Sequence, residues 1–306
     1  MKKIGILHGR ERTFPEAFCA AVNARGAGVV AEPCALDVAR IDRLPDYDVI
    51  IDRISHEVPF YAMHLKQAAL EGCAVVNNPF WRLADDKYLG TCLAHKLGIA
   101  VPRTLILPQH SYVEDITPES LTNLRLVDWE EVGRWLGWPV YIKPATGGGW
   151  KSVSRCSSVE ELIACYDRSG TLVMMVQEEI RWEAYARLLC IGREHVWTAP
   201  WDPTLPHHER YQGASFTFDD EVRARMEAQA VQLNEALGYD MNTVEFAIRD
   251  GVPYAIDFTN TSPDFDRNSL TAEAFEWVVE KMADLALRLA LDGGPRPTPR
   301  RWQDLL

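Results

Sequence analysis

The sequence predicts a mixed α/β protein: an N-terminal open parallel α/β domain followed by two α+β subdomains. Three observations carry this. Strand-like apolar runs alternate with helix-periodic segments through the first eighty residues, the pattern of a parallel sheet with right-handed crossovers. From Pro79 onward, short strands and helices mix around a glycine run at Gly147–Gly149. The last third is β-rich and then helical, with one strong hairpin turn at Asp250-Gly251. The 306 residues suit two or three structural units of roughly 100–200 residues each.

The elements follow in order. Lys3–Leu7 is a first strand, ending at His8-Gly9. Pro15–Arg25 has helical spacing. Gly28–Cys34 and Tyr47–Ile54 read as strands, Tyr61–Glu71 as a helix ended by Gly72, and Ala74–Asn77 as a fourth strand. Leu83–Leu97 is a helix stopping at Gly98, and Val101–Pro108 a strand bracketed by prolines. Gln109–Val127 is polar and aperiodic, a long loop. Asp128 caps a helix through Leu136, closed by Gly137. Pro139–Lys143 is a strand, Ser158–Tyr166 a helix opened by a Ser158/Glu161 capping box, and Thr171–Glu178 a strand. Glu183–Ile191 and His195–Ala199 form a hairpin at Gly192-Arg193. An irregular loop over Trp201–Gln212 precedes the helix Glu221–Leu237, ended by Gly238. Thr243–Arg249 and Pro253–Asp257 make the Asp250-Gly251 hairpin, and Phe275–Leu291 is the last helix. The expected organisation is an N-terminal domain over 1–78, a subdomain over 79–178 with the glycine loop, a subdomain over 179–292, and a loose tail over 293–306.

Composition narrows the function. Hydrophobic residues make up 47% and charged residues 25%, which excludes a disordered or fibrous chain. Lys plus Arg total 32 against 44 Asp plus Glu, a net charge of -12. That argues against nucleic acid held by general phosphate attraction. No apolar run approaches the ~18 residues of a membrane span. Lys2-Lys3 precede only a short apolar run, and Arg10, Glu11 and Arg12 follow at once, so the start reads as a strand of a cytoplasmic protein. The seven cysteines (19, 34, 73, 92, 156, 165, 190) form no CxxC spacing and read as small apolar thiols in a reducing compartment.

Four features bear chemistry. A strand delivers Lys143, and Gly147, Gly148 and Gly149 follow, with Trp150 and Ser152 in the same loop. Glycines let backbone N–H groups turn towards an anion, and the lysine adds a point charge. The loop lacks both GxxxxGK[ST] and GxGxxG spacing, so it is neither a Walker loop nor a dinucleotide fingerprint. Glu245 and Asp257 lie on the two strands of the late hairpin within apolar runs, with Asn260 three residues beyond. Acids there are costly unless paired or bound to metal, and two acids plus an amide oxygen are hard ligands suited to Mg²⁺. Lys87 follows Asp85-Asp86 early in a helix. Gln177-Glu178-Glu179-Ile180 sits where a strand leaves one unit for the next, placed to meet an adenine and a ribose. Adjacent His207-His208 on a loop read as solvated rather than metal-binding.

In this order the features resemble the ATP-grasp superfamily, in particular ligases similar to glutathione synthetase and to the enzyme that adds glutamate to a ribosomal protein. The specific stretch holds Asn77-Asn78-Pro79, Asp86-Lys87, Leu97-Gly98-Ile99 and Val101-Pro102-Arg103-Thr104. The resemblance implies an ATP-grasp fold whose two α+β subdomains sandwich ATP. It implies phosphate contacts from Lys87, Lys143 and the glycine loop, adenine at Gln177–Ile180, ribose at Glu183, and Mg²⁺ (one ion or two, or Mn²⁺) at Glu245, Asp257 and Asn260. It makes Arg187, in the strand beginning at Glu183, the residue near the γ-phosphate and the acyl intermediate, with Lys143 as its catalytic companion. The family pattern has its acid and asparagine two apart; here they are three apart. A bulge or an early strand end repairs this; otherwise Asn260 faces away or Thr259 takes its place.

The implied reaction joins a carboxylate, activated as an acyl phosphate, to an amine, with an amino acid or short peptide as substrate. Arg10 and Arg53, at the ends of early strands, and Arg210 and Asp264 are the substrate candidates. A homo-oligomer is compatible with the family. A small-molecule kinase and a nucleotide-binding protein without turnover are the competing functions.

Overall fold

The computed structural model describes residues 1–42, 46–81, 86–148 and 151–292. In chain order the elements are β1 (Lys2–Leu7), α1 (Thr13–Ala24), β2 (Val29–Pro33), β3 (Val49–Asp52), α2 (Pro59–Leu70), β4 (Ala74–Val76), α3 (Lys87–Lys96), β5 (Thr104–Ile106), α4 (Trp129–Leu136), β6 (Val140–Pro144), β7 (Ser154–Cys156), α5 (Val159–Asp167), β8 (Met174–Glu178), β9 (Ala184–Ile191), β10 (His195–Pro200), α6 (Asp220–Leu237), β11 (Met241–Arg249), β12 (Val252–Asp257) and α7 (Ala272–Asp292). Two compact units interleave along the chain. Met1–Arg82, Ala184–Phe246 and Asn260–Leu306 make the first; Leu83–Glu183 and Ala247–Thr259 make the second, each as far as the described residues extend. Among the described residues no helix is long and apolar enough to cross a membrane.

The first unit opens with the expected parallel sheet, in the order β2-β1-β3-β4. Successive residues Val49–Ile51 are buried, as are Ile4, Ile6 and Leu7. Burial without alternation is what a parallel sheet covered on both faces requires. β1 and β3 are neighbours whose crossovers run to opposite edges, so the chain diverges after Leu7 and after Asp52. Open α/β sheets bind ligands at such a switch point. The same unit holds β9, β10, α6 and α7. Phe275, Val278, Met282, Leu285, Ala286 and Leu289 form a buried stripe on α7, which packs on α1, β1, β3 and β9. Gly238 ends α6 at φ 75°, the left-handed cap expected of a glycine after a helix.

The second unit is built on an antiparallel sheet, β5-β8-β6-β7. Its core joins Leu107, Leu136, Val140, Ile142, Cys156, Leu162, Met174 and Val176. Asp128 caps α4 through the Glu131 N–H at 2.9 Å. Ser158 caps α5 through the Glu161 N–H, and Glu161 reaches back to the N–H of Ser157 rather than Ser158, a shifted capping box. A third sheet runs β10-β9-β11-β12.

Three details depart from expectation. The strand over Val101–Pro108 is reduced to β5, because Pro102 and Pro108 lack the N–H that a ladder needs. No element was expected over Ser154-Arg155-Cys156, which has no apolar alternation and is a strand, β7, only by pairing with β6. The helix expected from Leu83 starts at Lys87 with Asp86 as its N-cap, bonded to the Leu89 N–H at 2.8 Å; residues 82–85 lie outside the described residues.

Candidate active site

In the second unit, α3 begins beside the glycine loop, because the Lys87 N–H donates to the Ala145 carbonyl at 2.8 Å. The Lys87 ammonium lies 2.6 Å from an Asp257 carboxylate oxygen, and the two side chains are 15% and 35% exposed. Lys143 sits on β6 opposite Met175. Gly147 adopts φ 81° and Ser152 φ 56°, conformations that turn backbone N–H groups out of a regular ladder. Gly149 and Trp150 lie outside the described residues.

The expected adenine segment is tied into this unit by its side chains. Gln177 donates to Thr104 Oγ1 at 2.9 Å. Glu178 accepts the Arg103 N–H, Nε and Nη2 at 2.8, 3.0 and 2.8 Å. Glu179 takes a bidentate pair from Arg155 at 2.6 and 3.1 Å. These carboxylates therefore position the strand end and are not open to a base. Among the described residues the Ile180 N–H donates to no partner, which leaves backbone as the recognition edge there. Glu183 is exposed, and its carboxylate accepts the Gly251 N–H at 3.3 Å.

In the first unit, Arg187 is 8% exposed on β9. Its Nε lies 3.5 Å from a Glu245 oxygen, its Nη2 donates to Thr243 Oγ1 at 3.2 Å, and its guanidinium stacks 5.3 Å over Trp201. The Tyr185 hydroxyl donates to the other Glu245 oxygen at 3.0 Å. Tyr211 is buried beside them, and its hydroxyl has no partner among the described residues. Burial pushes the Tyr211 phenol up to about 12; Arg187 opposes the shift, while Asp264 and Glu245 add to it. β12 ends at Asp257, which is the early strand end that the three-residue spacing called for. Asn260 donates its amide to Thr243 Oγ1 at 3.0 Å, leaving Oδ1 as its open acceptor. Thr259 instead packs in the second unit, where a Cβ on Gly90 would meet its methyl at 2.9 Å. Among the described residues no three His, Cys, Asp or Glu side chains gather as a metal centre.

A cleft of about 300 Å³ opens within the first unit at the β1/β3 switch point. Glu11, Arg53, Ile54, His56 and Glu57 line it from the sheet side, and Ser262, Pro263, Asp264 and Asp266 from the segment after β12. Arg53 does not reach out to substrate. Its side chain is 4% exposed, doubly bonded to Glu11 at 2.9 and 2.6 Å, bonded to the Pro263 carbonyl, and packed against the edge-to-face rings of Phe14 and Phe265. With Arg53 spent on Glu11, three carboxylates still face the cleft. Ser262 Oγ is buried there without a hydrogen-bond partner among the described residues. Arg10 is exposed just past β1. Arg210 donates to the Leu205 carbonyl and stacks 5.2 Å over Trp201. His207 and His208 are exposed, as expected, with His207 3.8 Å from Asp264.

No family model matches the chain. The D-alanine–D-alanine ligase of Ralstonia nicotianae is 26% identical over 191 residues, which is 57% of this chain and 57% of that protein. The chain thus spans just over half the length of the curated relatives it matches. Among solved structures, a RimK domain ATP-grasp protein from Sphaerobacter thermophilus aligns with a TM-score of 0.67 at 21% identity, covering 92% of this chain and 98% of that one. The D-alanine–D-alanine ligase of Bacillus anthracis, complexed with ATP, aligns with a TM-score of 0.66 at 15% identity, covering 95% and 98%. The chain has the ATP-grasp fold.

Within that fold, sequence reasoning gave no role to four residues that line or support the candidate site. Glu11 and Glu57 become cleft residues only through the β2-β1-β3-β4 order, which no local pattern encodes. Tyr211 lay unremarked in an irregular loop. Asn77 is 1% exposed and accepts the N–H groups of Asp240 and Met241 while donating to the Met241 carbonyl. It anchors the start of β11, the strand that bears Glu245; the Asn77-Asn78-Pro79 motif was its visible trace.

Proposed function

We propose that the chain is an ATP-dependent carboxylate–amine ligase that forms an amide bond, with an amino acid or short peptide as substrate. The observation that supports this best is the buried Arg187, which faces Glu245, Thr243 and Trp201 in an ATP-grasp fold. A planar guanidinium desolvated in this way suits a transferring phosphoryl group and the acyl phosphate it forms. Lys87, Lys143 and the N–H groups of the glycine loop hold the nucleotide phosphates, and the Ile180 backbone reads the adenine edge. Glu245 and the Asn260 Oδ1 in the first unit, and Asp257 in the second, are oxygen donors of the kind that Mg²⁺ takes. An ion held there would supply positive charge against the phosphate oxygens. Arg187 then stabilises the charge that develops during transfer, a task of positioning and electrostatics rather than covalent chemistry. The Tyr211 hydroxyl, unpaired beside Arg187, donates to a substrate oxygen.

The switch-point cleft takes the amine-bearing substrate. Glu57, Asp264 and Asp266 suit an ammonium and repel a second carboxylate. The test is ADP release with Mg-ATP across amino acids supplied singly and in pairs, with mass spectrometry of the products. A pair that yields ADP and a mass equal to the sum less water supports the ligase. A product heavier by one phosphoryl group would make the protein a kinase.

A further inference from the structure

We propose that Cys156 and Cys165 form a peroxide-oxidisable dithiol, a reversible covalent modification site away from the residues assigned to the reaction. The two lie nine residues apart in the second unit, Cys156 on β7 and Cys165 on the facing side of α5. Their sulfurs are 3.7 Å apart. A disulfide needs about 2.0 Å, so its formation starts from two sulfurs already in van der Waals contact.

The surroundings assign the two thiols different tasks. Cys165 is half-buried, and the Arg168 guanidinium lies 3.3 Å from its sulfur. Cys165 is the thiol of the pair that solvent reaches, so a dissolved oxidant meets it first; attack on an oxidant goes through the thiolate form of a cysteine. Cys156 is fully buried in the core of the sheet. Burial, and then the Cys165 sulfur beside it, push the Cys156 thiol up to about 12, so it stays protonated and shielded until a partner sulfur is presented. Cys19, Cys34, Cys73 and Cys190 show no such pairing with a guanidinium, and Cys92 is exposed without a second thiol within bonding distance among the described residues.

The chemistry balances in two steps. The Cys165 thiolate attacks one oxygen of a hydroperoxide; the O–O bond breaks, hydroxide (or alkoxide) leaves and takes a proton, and Cys165 becomes a sulfenic acid. The Cys156 thiol then loses its proton and attacks the Cys165 sulfur; the S–O bond breaks and the hydroxyl leaves with that proton as water. The two thiols give up two electrons to the peroxide, and an external dithiol restores them. The bond ties β7 to α5, and β7 is the strand onto which the glycine-loop segment runs.

The experiment uses the full chain and hydrogen peroxide, with intact mass and peptide mapping after alkylation of free thiols. The proposal expects a loss of about 2 Da, a Cys156–Cys165 cross-linked peptide, and full reversal by dithiothreitol. In Cys156→Ser the sulfenic acid has no resolving thiol, so dimedone labels Cys165; in Cys165→Ser no cross-link forms and Cys156 stays reduced. The wild-type mapping stands without either variant if one fails to fold. Two results overturn the proposal: peroxide leaving both thiols alkylatable while Cys92 oxidises, or Cys165 collecting dimedone in the wild type with Cys156 still free.

Discussion

Replacing Arg187 separates its two roles, in stability and in turnover. In Arg187→Ala, Glu245 keeps its Tyr185 hydrogen bond but loses the cation at 3.5 Å while only 15% exposed. Removing one partner of a buried pair costs about 3–5 kcal/mol, a large share of the ~5–15 kcal/mol that holds a domain together. That variant is expected to unfold readily and reports little about catalysis. Arg187→Lys keeps the charge. It loses the stacking on Trp201, worth about 0.5–2 kcal/mol, and the Thr243 hydrogen bond, worth about 1 kcal/mol. The fold survives with a lowered melting temperature. Lysine, however, offers a point charge where the guanidinium offers a planar fork. Loss of one donor aimed at developing charge lowers kcat by about 10²–10³. The assay is steady-state ADP release at saturating ATP, beside thermal unfolding of the same preparation. A folded Arg187→Lys protein with kcat within about threefold of wild type would refute the assignment of Arg187 to the transferring group.

Three further outcomes are expected. Tyr211→Phe removes a buried hydroxyl that has no partner among the described residues, so stability at neutral pH holds or rises by about 1 kcal/mol, while KM for the substrate increases. The same variant changes the alkaline limb. Burial raises the phenol to about 12 in the folded chain against its ordinary 10, so its ionisation takes nothing from stability below pH 10 and an increasing share as pH rises towards 12; urea titrations at pH 9 and 11 should show the variant losing less than wild type. Lys87→Met removes the ammonium 2.6 Å from Asp257 and should weaken Mg-ATP binding, read by calorimetry, about tenfold or more with a small change in melting temperature. Gly90→Ala places a methyl 2.9 Å from Thr259 Cγ2 and 3.2 Å from the Phe258 ring; overpacking of about 1–3 kcal/mol outweighs the ~1 kcal/mol gained in helix propensity, and the melting temperature falls by a few degrees.

What the sequence made legible depended on whether a feature was local. The strand–helix alternation of the first eighty residues, the Asp128 and Ser158 caps and the Asp250-Gly251 hairpin are each written within a few residues, and each stands in the structure. β7 escaped because a strand without apolar alternation exists only through its partner β6. The site divides in the same way. Lys87, Arg187, Glu245 and Asp257 were singled out from residue type, position and resemblance, and the structure places each in an ion pair within its own unit. Arg53 looked like a substrate ligand because it follows a strand end, yet Glu11, forty-two residues earlier, consumes its charge. Glu178 and Glu179 looked like nucleotide contacts, yet Arg103 and Arg155 occupy both carboxylates. Such pairings are set by sheet order and long-range packing, which no sequence spacing reports.

The central claim is that the chain activates a carboxylate as an acyl phosphate before an amine displaces it. The most direct measurement supplies the carboxylate substrate labelled with ¹⁸O, together with Mg-ATP and the amine, and follows the label by mass spectrometry of the released phosphate. Transfer of one ¹⁸O into phosphate, in step with amide formation, is the predicted result. Release of ADP with no label in the phosphate, the label remaining in a phosphorylated or unchanged substrate, would contradict it.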